Sequence, residues 1–308
     1  MQDCAIVYGA LRSGTTMLRL MIDAHPALCC TGEHDFLFDH LHRATDGWRY
    51  DRTALEDDRI YRDSGVTLRE DLDGADALAD MIAQIAKLGG GRLPVLMLHR
   101  AADRWSALRP DVPLIHFLRD PRDVARSSIG MGWAGNVWRG VNHWIATERA
   151  WQHLPQPLRD RAHVCHYETL LQDPEGELKR LCDVLGTSYD PVMLSYPERT
   201  TYSAPEARLA YQWKRKASPR EIGLVEGAVG ALLTDTGYEP SGHGPLGPGF
   251  AERQWLTWSS KAATFRFATR RYGLGTVLQH RLGRKLGLDG MRRRAQRRID
   301  EQVVQYLK

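Results

Sequence analysis

Residues 5–24 read AIVYGALRSGTTMLRLMIDA, which places a short strand, a glycine-bounded loop and a helix in succession. The first four residues are apolar and β-prone, whereas the apolar residues from Met17 onward recur at helical spacing. Gly9 and Gly14 give the loop the GxxxxG frame of a phosphate-binding loop. Backbone amides at a helix start, together with the helix dipole, favour a bound anion. This stretch predicts an α/β domain that binds phosphate at the end of its first strand.

The loop differs from that of the nucleotide triphosphatases at one position. Thr15 stands where those proteins have lysine, which argues against ATP chemistry. Arg12 can supply a cation from within the loop instead. A small-molecule kinase that uses this loop is an alternative interpretation, and an ordinary strand-to-helix turn is the simplest one.

The chain beyond the loop alternates between predicted strands and helices. Further strands are predicted over 94–98, 113–118 and 163–167, and helices over 75–88, 103–108, 138–154, 174–185 and 221–234. This order indicates a parallel sheet flanked by helices, in which ligands bind at the carboxyl ends of the strands. Arg12 and Arg119 both follow such an end. The polar stretch 45–73 is predicted to be an irregular insertion or lid.

Composition indicates a soluble globular protein. Of the 308 residues 43% are hydrophobic, and no run approaches the roughly 18 apolar residues of a membrane span. The first residues lack the pattern of a secretory signal, so we expect a cytoplasmic protein. The five cysteines form no CxxC pair, which predicts reduced thiols and no zinc site.

Charge is unevenly distributed along the chain. Residues 260–308 hold thirteen Lys and Arg against three acidic residues, so this segment carries +10 and the remainder −6. A Gly- and Pro-rich loop over 240–249 predicts a boundary between a domain at 1–249 and a basic, aromatic-containing helical extension at 250–308. The extension would bind an anionic membrane surface as a peripheral protein, or pack on the acidic body. No nucleic-acid motif accompanies it, so nucleic acid is not expected as a partner.

Three segments together resemble a known family. They are RSGTTMLRLMIDAHP at 12–26 followed by Gly32-Glu33, FLRDPRDVARS at 117–127, and YETLLQDP at 167–174. In this order they resemble the sulfotransferases that use 3′-phosphoadenosine 5′-phosphosulfate (PAPS), and are most similar to the tyrosylprotein sulfotransferases and their bacterial relatives. The resemblance covers roughly residues 5–240. It implies the sulfotransferase fold, a P-loop-like parallel sheet flanked by helices.

The resemblance also implies the residues that bind the donor. Those expected to hold the 5′-phosphosulfate are Arg12, Ser13, Gly14, Thr15 and Thr16. Arg119 and Ser127 would hold the 3′-phosphate, where an arginine fork and a hydroxyl suit a dianion. Tyr167 would lie near the adenosine, and Lys214 in a basic segment would close over the donor. PAPS is then the donor and PAP the product, with no metal.

Glu33 matches the position of the family's general base. His34 and His99 compete with it for this role because histidine is the commonest proton-transfer residue. Relatives carry a lysine after the second long strand, where this chain has His99 and Arg100, and which of the two replaces the lysine stays open. The expected reaction is in-line sulfuryl transfer to a lipid, glycan or small-metabolite hydroxyl. The alternatives are the kinase above and a non-catalytic protein that binds an anionic surface or nucleic acid.

Overall fold

The structure is a computed structural model that describes residues 3–307, with side chains described for 3–302. Within residues 3–307 the strands are β1 (Ala5–Tyr8), β2 (Leu28–Cys29), β3 (Leu41–Ala44), β4 (Gly47–Tyr50), β5 (Leu93–Leu98), β6 (Leu114–Leu118) and β7 (His163–His166). The helices up to residue 152 are α1 (Thr15–Ala24), α2 (Phe36–Asp39), α3 (Arg52–Asp57), α4 (Arg59–Ser64), α5 (Gly74–Leu88), α6 (Ala102–Leu108), α7 (Pro121–Gly130), α8 (Val137–Gly140) and α9 (Asn142–Gln152). Those that follow are α10 (Gln156–Asp160), α11 (Tyr167–Gln172), α12 (Pro174–Val184), α13 (Trp213–Lys216), α14 (Pro219–Val229), α15 (Leu232–Asp235), α16 (Phe250–Tyr272), α17 (Leu274–Leu286) and α18 (Asp289–Leu307).

Five strands form one sheet in the order β2-β5-β1-β6-β7, and every neighbouring pair is parallel. Strand β1 lies at the centre, with Tyr8 opposite Leu98 of β5 and His116 of β6. The loop that follows β1 is therefore flanked by the ends of β5 and β6. The predicted fold class, a parallel sheet flanked by helices, is confirmed.

Alternate residues of β1 pack on opposite faces of the sheet, as a pleated strand requires. Ile6 and Tyr8 belong to a core formed with α5 and with Trp105 of α6. Ala5 and Val7 belong to a second core, formed with α1, α11 and α12. Both faces are covered, which explains why the central strands read as continuous apolar runs.

Three predictions about elements need correction. The stretch 45–73 is not irregular, because β4 completes a hairpin with β3 and helices α3 and α4 follow it. Asp51 and Asp58 cap these two helices by accepting backbone N–H groups. The long helix predicted over 138–154 is broken between α8 and α9, and the one over 221–234 is broken at Gly230, whose φ is +60°. A β-carbon on Gly140 would lie 2.4 Å from the Ala125 carbonyl oxygen, so close contact with α7 accompanies the first break.

The extension predicted over 250–308 is described up to residue 307, and Lys308 lies outside the described residues. Its helices are α16, α17 and α18. The Gly135 N–H donates to the Ser260 hydroxyl at 2.9 Å, so α16 packs on the loop before α8. Arg62 of α4 forms a 2.9 Å ion pair with Asp300, which ties α18 to the insertion. Within residues 3–307, none of the helices has the length and apolar character needed to span a membrane.

Candidate active site

The loop between β1 and α1 has two positions that only glycine fits. A β-carbon on Gly9 would lie 2.2 Å from the Phe117 carbonyl oxygen. Gly14 has φ of +93°, and a β-carbon there would lie 2.4 Å from the Tyr167 ring. Arg12 also has a positive φ, +70°, which is uncommon for a residue with a side chain. The backbone therefore turns tightly, and the first amides of α1 are left without helical partners.

The structure brings four of the predicted donor-binding residues together. The Arg12 Nε donates to the Ser127 hydroxyl at 3.1 Å. Arg119 donates through Nη1 to the Arg12 carbonyl at 2.9 Å, and its guanidinium lies 4.4 Å from the centre of the Tyr167 ring. Burial and, next, the neighbouring charge of Arg119 lower the pKa of Arg12 from its ordinary value. Two adjacent cations in this position would be stabilised by an anion.

Lys214 lies on the short helix α13. The Lys214 ammonium is 4.8 Å from the centre of the Tyr211 ring. No hydrogen bond or ion pair between the described side chains joins Lys214 to the loop. The helix itself is held close to α7, because the Asp123 carboxylate accepts the backbone N–H groups of Gln212 and Trp213. The prediction that Lys214 closes over the donor therefore gains no support from a direct contact.

Glu33 lies next to the loop, at the carboxyl side of the sheet. It pairs with Met97 in an isolated parallel bridge, and its side chain is 39% exposed. Its Oε1 is 3.9 Å from the Nε2 of His99. The other ring nitrogen of His99, Nδ1, lies 2.7 Å from the Gly9 carbonyl oxygen and must donate to it. The Nε2 faces Glu33 and is buried without a hydrogen-bond partner among the described residues.

His34 is poorly placed to accept a proton from a substrate. Its Nδ1 accepts the Met97 N–H at 3.2 Å, and its Nε2 is 3.3 Å from the Thr31 hydroxyl. Burial lowers the pKa of His34 to about 3. Through these contacts His34 holds the chain next to Glu33 against β5.

Arg100 is engaged with the carboxylates of Asp39 and Asp35. It forms a 2.6 Å ion pair with Asp39 and is half exposed. His99, by contrast, contacts the loop directly through Gly9. Of the two residues that stand in place of the lysine of relatives, His99 is the one that borders the loop.

Asp35 is a site residue that the sequence reasoning missed. One of its oxygens, Oδ1, accepts the backbone N–H groups of His99 and Arg100 at 2.8 and 3.0 Å, which fixes the end of β5. Burial raises the pKa of Asp35. Asp35, Glu33 and His99 offer ligand atoms within 4.8 Å of one another, close enough for a metal ion by distance alone. The Asp35 carboxylate, however, already has partners within the protein. Its Oδ1 accepts two backbone N–H groups, and its Oδ2 lies 3.8 Å from the Nη2 of Arg100.

A cavity of about 290 Å³ opens beside Glu33. Its walls come from α1 through Thr16 and Arg19, and from the insertion through Arg59 and Ile60 of α4. Arg19 was also missed, although it lies three residues after Thr16 and so on the same side of α1. The insertion therefore borders this cavity.

Comparison with known proteins identifies the family. The model of the sulfotransferase family matches residues 5–191. A putative protein-tyrosine sulfotransferase of Caenorhabditis briggsae is 30% identical over 211 residues, 64% of this chain and 70% of the relative. Protein-tyrosine sulfotransferase A of Caenorhabditis elegans is 25% identical over 202 residues, 62% of this chain and about half (51%) of the relative.

Two solved structures share the fold. The sulfotransferase domain from the curacin biosynthetic pathway has a TM-score of 0.54 at 18% identity, covering 78% of this chain and 99% of that domain. The domain from the Synechococcus PCC 7002 olefin synthase has a TM-score of 0.52 at 20% identity, covering 72% and 93%. The family match, the relatives and the fold agree with the sulfotransferase prediction and not with the kinase. This chain belongs to the sulfotransferase family and is a sulfotransferase.

Proposed function

We propose that this enzyme transfers the sulfuryl group of PAPS to a hydroxyl of an acceptor bound in the cavity beside Glu33. The observation that supports this most strongly is the assembly of Arg12, Arg119, Ser127 and Tyr167 around one glycine-bounded loop. These residues come from three separate segments of the chain. Glu33 lies on the cavity side of the same loop.

The residues around the loop suit the polyanionic donor. The Ser13 Oγ and the Arg119 Nε are buried without a hydrogen-bond partner among the described residues. Such atoms are rare in proteins and often mark a ligand position. Phosphate and sulfate oxygens accept charge-assisted hydrogen bonds from groups of this kind. Arg12 and Ser13 to Thr16 would hold the 5′-phosphosulfate, and Arg119 with Ser127 the 3′-phosphate.

Bound PAPS supplies the sulfuryl group and a phosphate leaving group. Sulfur bonds to the acceptor oxygen as its bond to the bridging phosphate oxygen breaks, and PAP leaves with that electron pair. Arg12 and the amides at the start of α1 stabilise the charge that develops on the leaving oxygen. Glu33 takes the acceptor proton, and the Nε2 of His99 lies 3.9 Å away as a neighbouring proton acceptor. No metal is invoked in this proposal.

The acceptors that we propose are lipid, glycan or small-metabolite hydroxyls. The test is incubation of the purified protein with PAPS carrying a labelled sulfuryl group and with cell extracts, followed by detection of products that are heavier than the acceptor by one SO3. ATP carrying a labelled γ-phosphate is the control donor, and it should label nothing. Saturable PAPS binding with transfer supports the proposal, whereas phosphate transfer from ATP would contradict it.

A further inference from the structure

Helix α16 carries exposed aromatic side chains on one side. Trp255 and Trp258 are 64% and 67% exposed, and they lie one helical turn apart. At 100° per residue they point roughly opposite Ser260, the residue that packs on the body of the protein. Phe250 at the start of the helix is also exposed. Large aromatic residues on the outer side of a packed helix are available for contact with another surface.

Helix α17 carries an exposed row of leucines. Leu274, Leu278 and Leu282 recur at four-residue spacing and are 51%, 42% and 49% exposed, so they lie on one side of the helix. Leu286 extends the row by one more turn. Helix α17 packs on α18 at Gly283, where a β-carbon would lie within 3.0 Å of Arg292. The exposed leucines lie outside this contact.

Cations accompany these apolar residues. Arg281 and Lys285 fall beside the leucine row at helical spacing. Arg266 and Arg270 of α16 line an open groove of about 550 Å³. In the part of the chain whose side chains are described, neither of these two arginines forms an ion pair. The segment 260–308 carries +10 in total, so its electrostatic complement is an anionic surface.

We infer that the outer sides of α16 and α17 dock this enzyme onto an anionic lipid bilayer. The tryptophans and leucines enter the boundary between headgroups and acyl chains, while the cations contact lipid phosphates. A nucleic acid would satisfy the cations but would leave the leucine row exposed to water. A second copy of this chain would place like charge against like charge. Of these three partners, the bilayer accommodates both kinds of side chain.

Helices α16 and α18 contact the body of the protein close to the candidate active site. The Asn136 side chain donates to the Leu256 carbonyl at 2.7 Å, so α16 adjoins the loop that includes Trp133. The Trp133 ring lies 5.8 Å from the Arg12 guanidinium. On the cavity side, Arg293 of α18 forms a 2.9 Å ion pair with Asp57, the last residue of α3, which directly precedes α4. Docking would hold the acceptor cavity at the membrane, a consequence that rests on the proposed function.

Vesicle co-sedimentation tests the inference without any activity measurement. The full chain should sediment with phosphatidylcholine vesicles that contain phosphatidylglycerol at low salt, and high salt should release it, because solvent-exposed charges are screened. Phosphatidylcholine vesicles alone should bind much more weakly. Tryptophan fluorescence should shift to shorter wavelength when the anionic vesicles are added, as Trp255 and Trp258 leave water.

The variant Leu278→Gln/Leu282→Gln removes the centre of the leucine row at exposed positions. We expect its partition coefficient onto anionic vesicles to fall at least about tenfold, since two leucines no longer leave water. The matched control is Leu88→Gln, at an exposed leucine on α5, which should bind normally. Circular dichroism checks that both variants are folded.

Two results would overturn the inference. One is equal binding of the double variant and the control. The other is a dimer, seen by light scattering, that the double variant converts to a monomer, because a second copy would then occupy this surface. PAPS binding is measured separately on the same preparations. Failure of PAPS binding with intact vesicle binding would contradict the proposed function alone.

Discussion

Arg12 has a left-handed backbone conformation, with φ of +70°. Its side chain donates to Ser127, and its carbonyl oxygen accepts from Arg119. We predict that Arg12→Ala lowers kcat by about a hundredfold or more, because this cation acts on charge that develops during transfer. Steady-state kinetics with saturating PAPS measure the loss. Arg12→Lys is the control, since it keeps the charge but loses the Nε bond to Ser127. Near-normal turnover by a folded Arg12→Ala variant would contradict a role for Arg12 in transfer.

Glu33 and His99 can be separated by two substitutions of similar size. We predict that Glu33→Gln lowers kcat by about a hundred- to ten-thousandfold and leaves PAPS affinity unchanged, as expected for loss of a general base. His99→Asn retains a donor for the Gly9 carbonyl but removes Nε2, and it should cost much less. The measurement is kcat for both variants alongside PAPS binding by calorimetry. The opposite order of effects would assign the base to His99.

The Arg119 side chain donates to the backbone of the loop and lies over Tyr167, so its role should differ from that of Arg12. We predict that Arg119→Ala raises the KM for PAPS by about ten- to hundredfold, with a smaller effect on kcat, because the contact is to a part of the donor remote from sulfur. The variant should also lose its preference for PAPS over adenosine 5′-phosphosulfate. A preserved preference would place the 3′-phosphate elsewhere.

At this scale the sequence predicted residues that act through local motifs, and it missed those that act through tertiary contacts. Arg12 and Arg119 each follow a strand, so the topology of a parallel sheet brings them together. Asp35 was missed because its role depends on amides of residues 99 and 100, far along the chain. His34 could not be set aside before its partners on Met97 and Thr31 were known.

Among the elements, the start of α11 contains a buried carboxylate that makes stability depend on pH. Burial, together with the nearby charge of Asp120, raises the pKa of Glu168 to about 7. Glu168 accepts the Asp120 N–H at 3.1 Å and the Tyr238 hydroxyl at 3.0 Å. Because the pKa of Glu168 is higher in the folded state, protonation of this carboxyl favours folding. The resulting stabilisation is complete below about pH 4.5 and is lost as the pH rises through about 7.

We predict that Glu168→Gln removes this dependence. The free energy of unfolding of the wild type should fall relative to that of the variant between about pH 4.5 and 7, by on the order of 2–3 kcal/mol. Urea unfolding at several pH values measures the difference. Asp123, whose pKa burial raises to about 6, is present in both proteins and its effect cancels. If the free energy of unfolding changed with pH in the same way for both proteins, the prediction would be wrong.

The elements that the sequence predicted well have strong local signals. Helix α1 ends at Ala24, two residues before Pro26, and β5 is a continuous apolar run between polar residues. Helix α7 was not predicted, although Asp120 caps it and Pro121 occupies its first turn, a combination typical of helix starts. The hairpin and helices of the insertion were missed because their apolar residues are few and lack a sustained period.

For the whole molecule, the boundary predicted at Gly249 stays a prediction. We expect a chain that ends at Gly249 to fold and to bind PAPS, since the loop and sheet lie before it, but to melt at a lower temperature. The reason is the loss of Leu256 packing and of the Ser260 contact with Gly135. Calorimetry of the full and shortened chains measures the change. Aggregation of the shortened chain would show that α16 is part of the core.

The path of the C-terminal helices could not be predicted from the sequence. Helical spacing and basic composition indicated helices, but not which surface they cover. Their position depends on single contacts, such as Phe267 against Gly132, where a β-carbon would come within 2.1 Å of the ring. Pairings of this kind leave no periodic pattern in the sequence.

The ion pair between Arg62 and Asp300 joins residues 238 positions apart. During synthesis, the wall that α4 contributes to the proposed acceptor cavity cannot gain this support until α18 has left the ribosome. Contacts of such sequence separation are slow to form, because a long loop must close first. The donor site, which draws on residues 12 to 167, can be complete earlier. A nascent chain should therefore acquire the capacity to bind PAPS before its acceptor cavity reaches its final form.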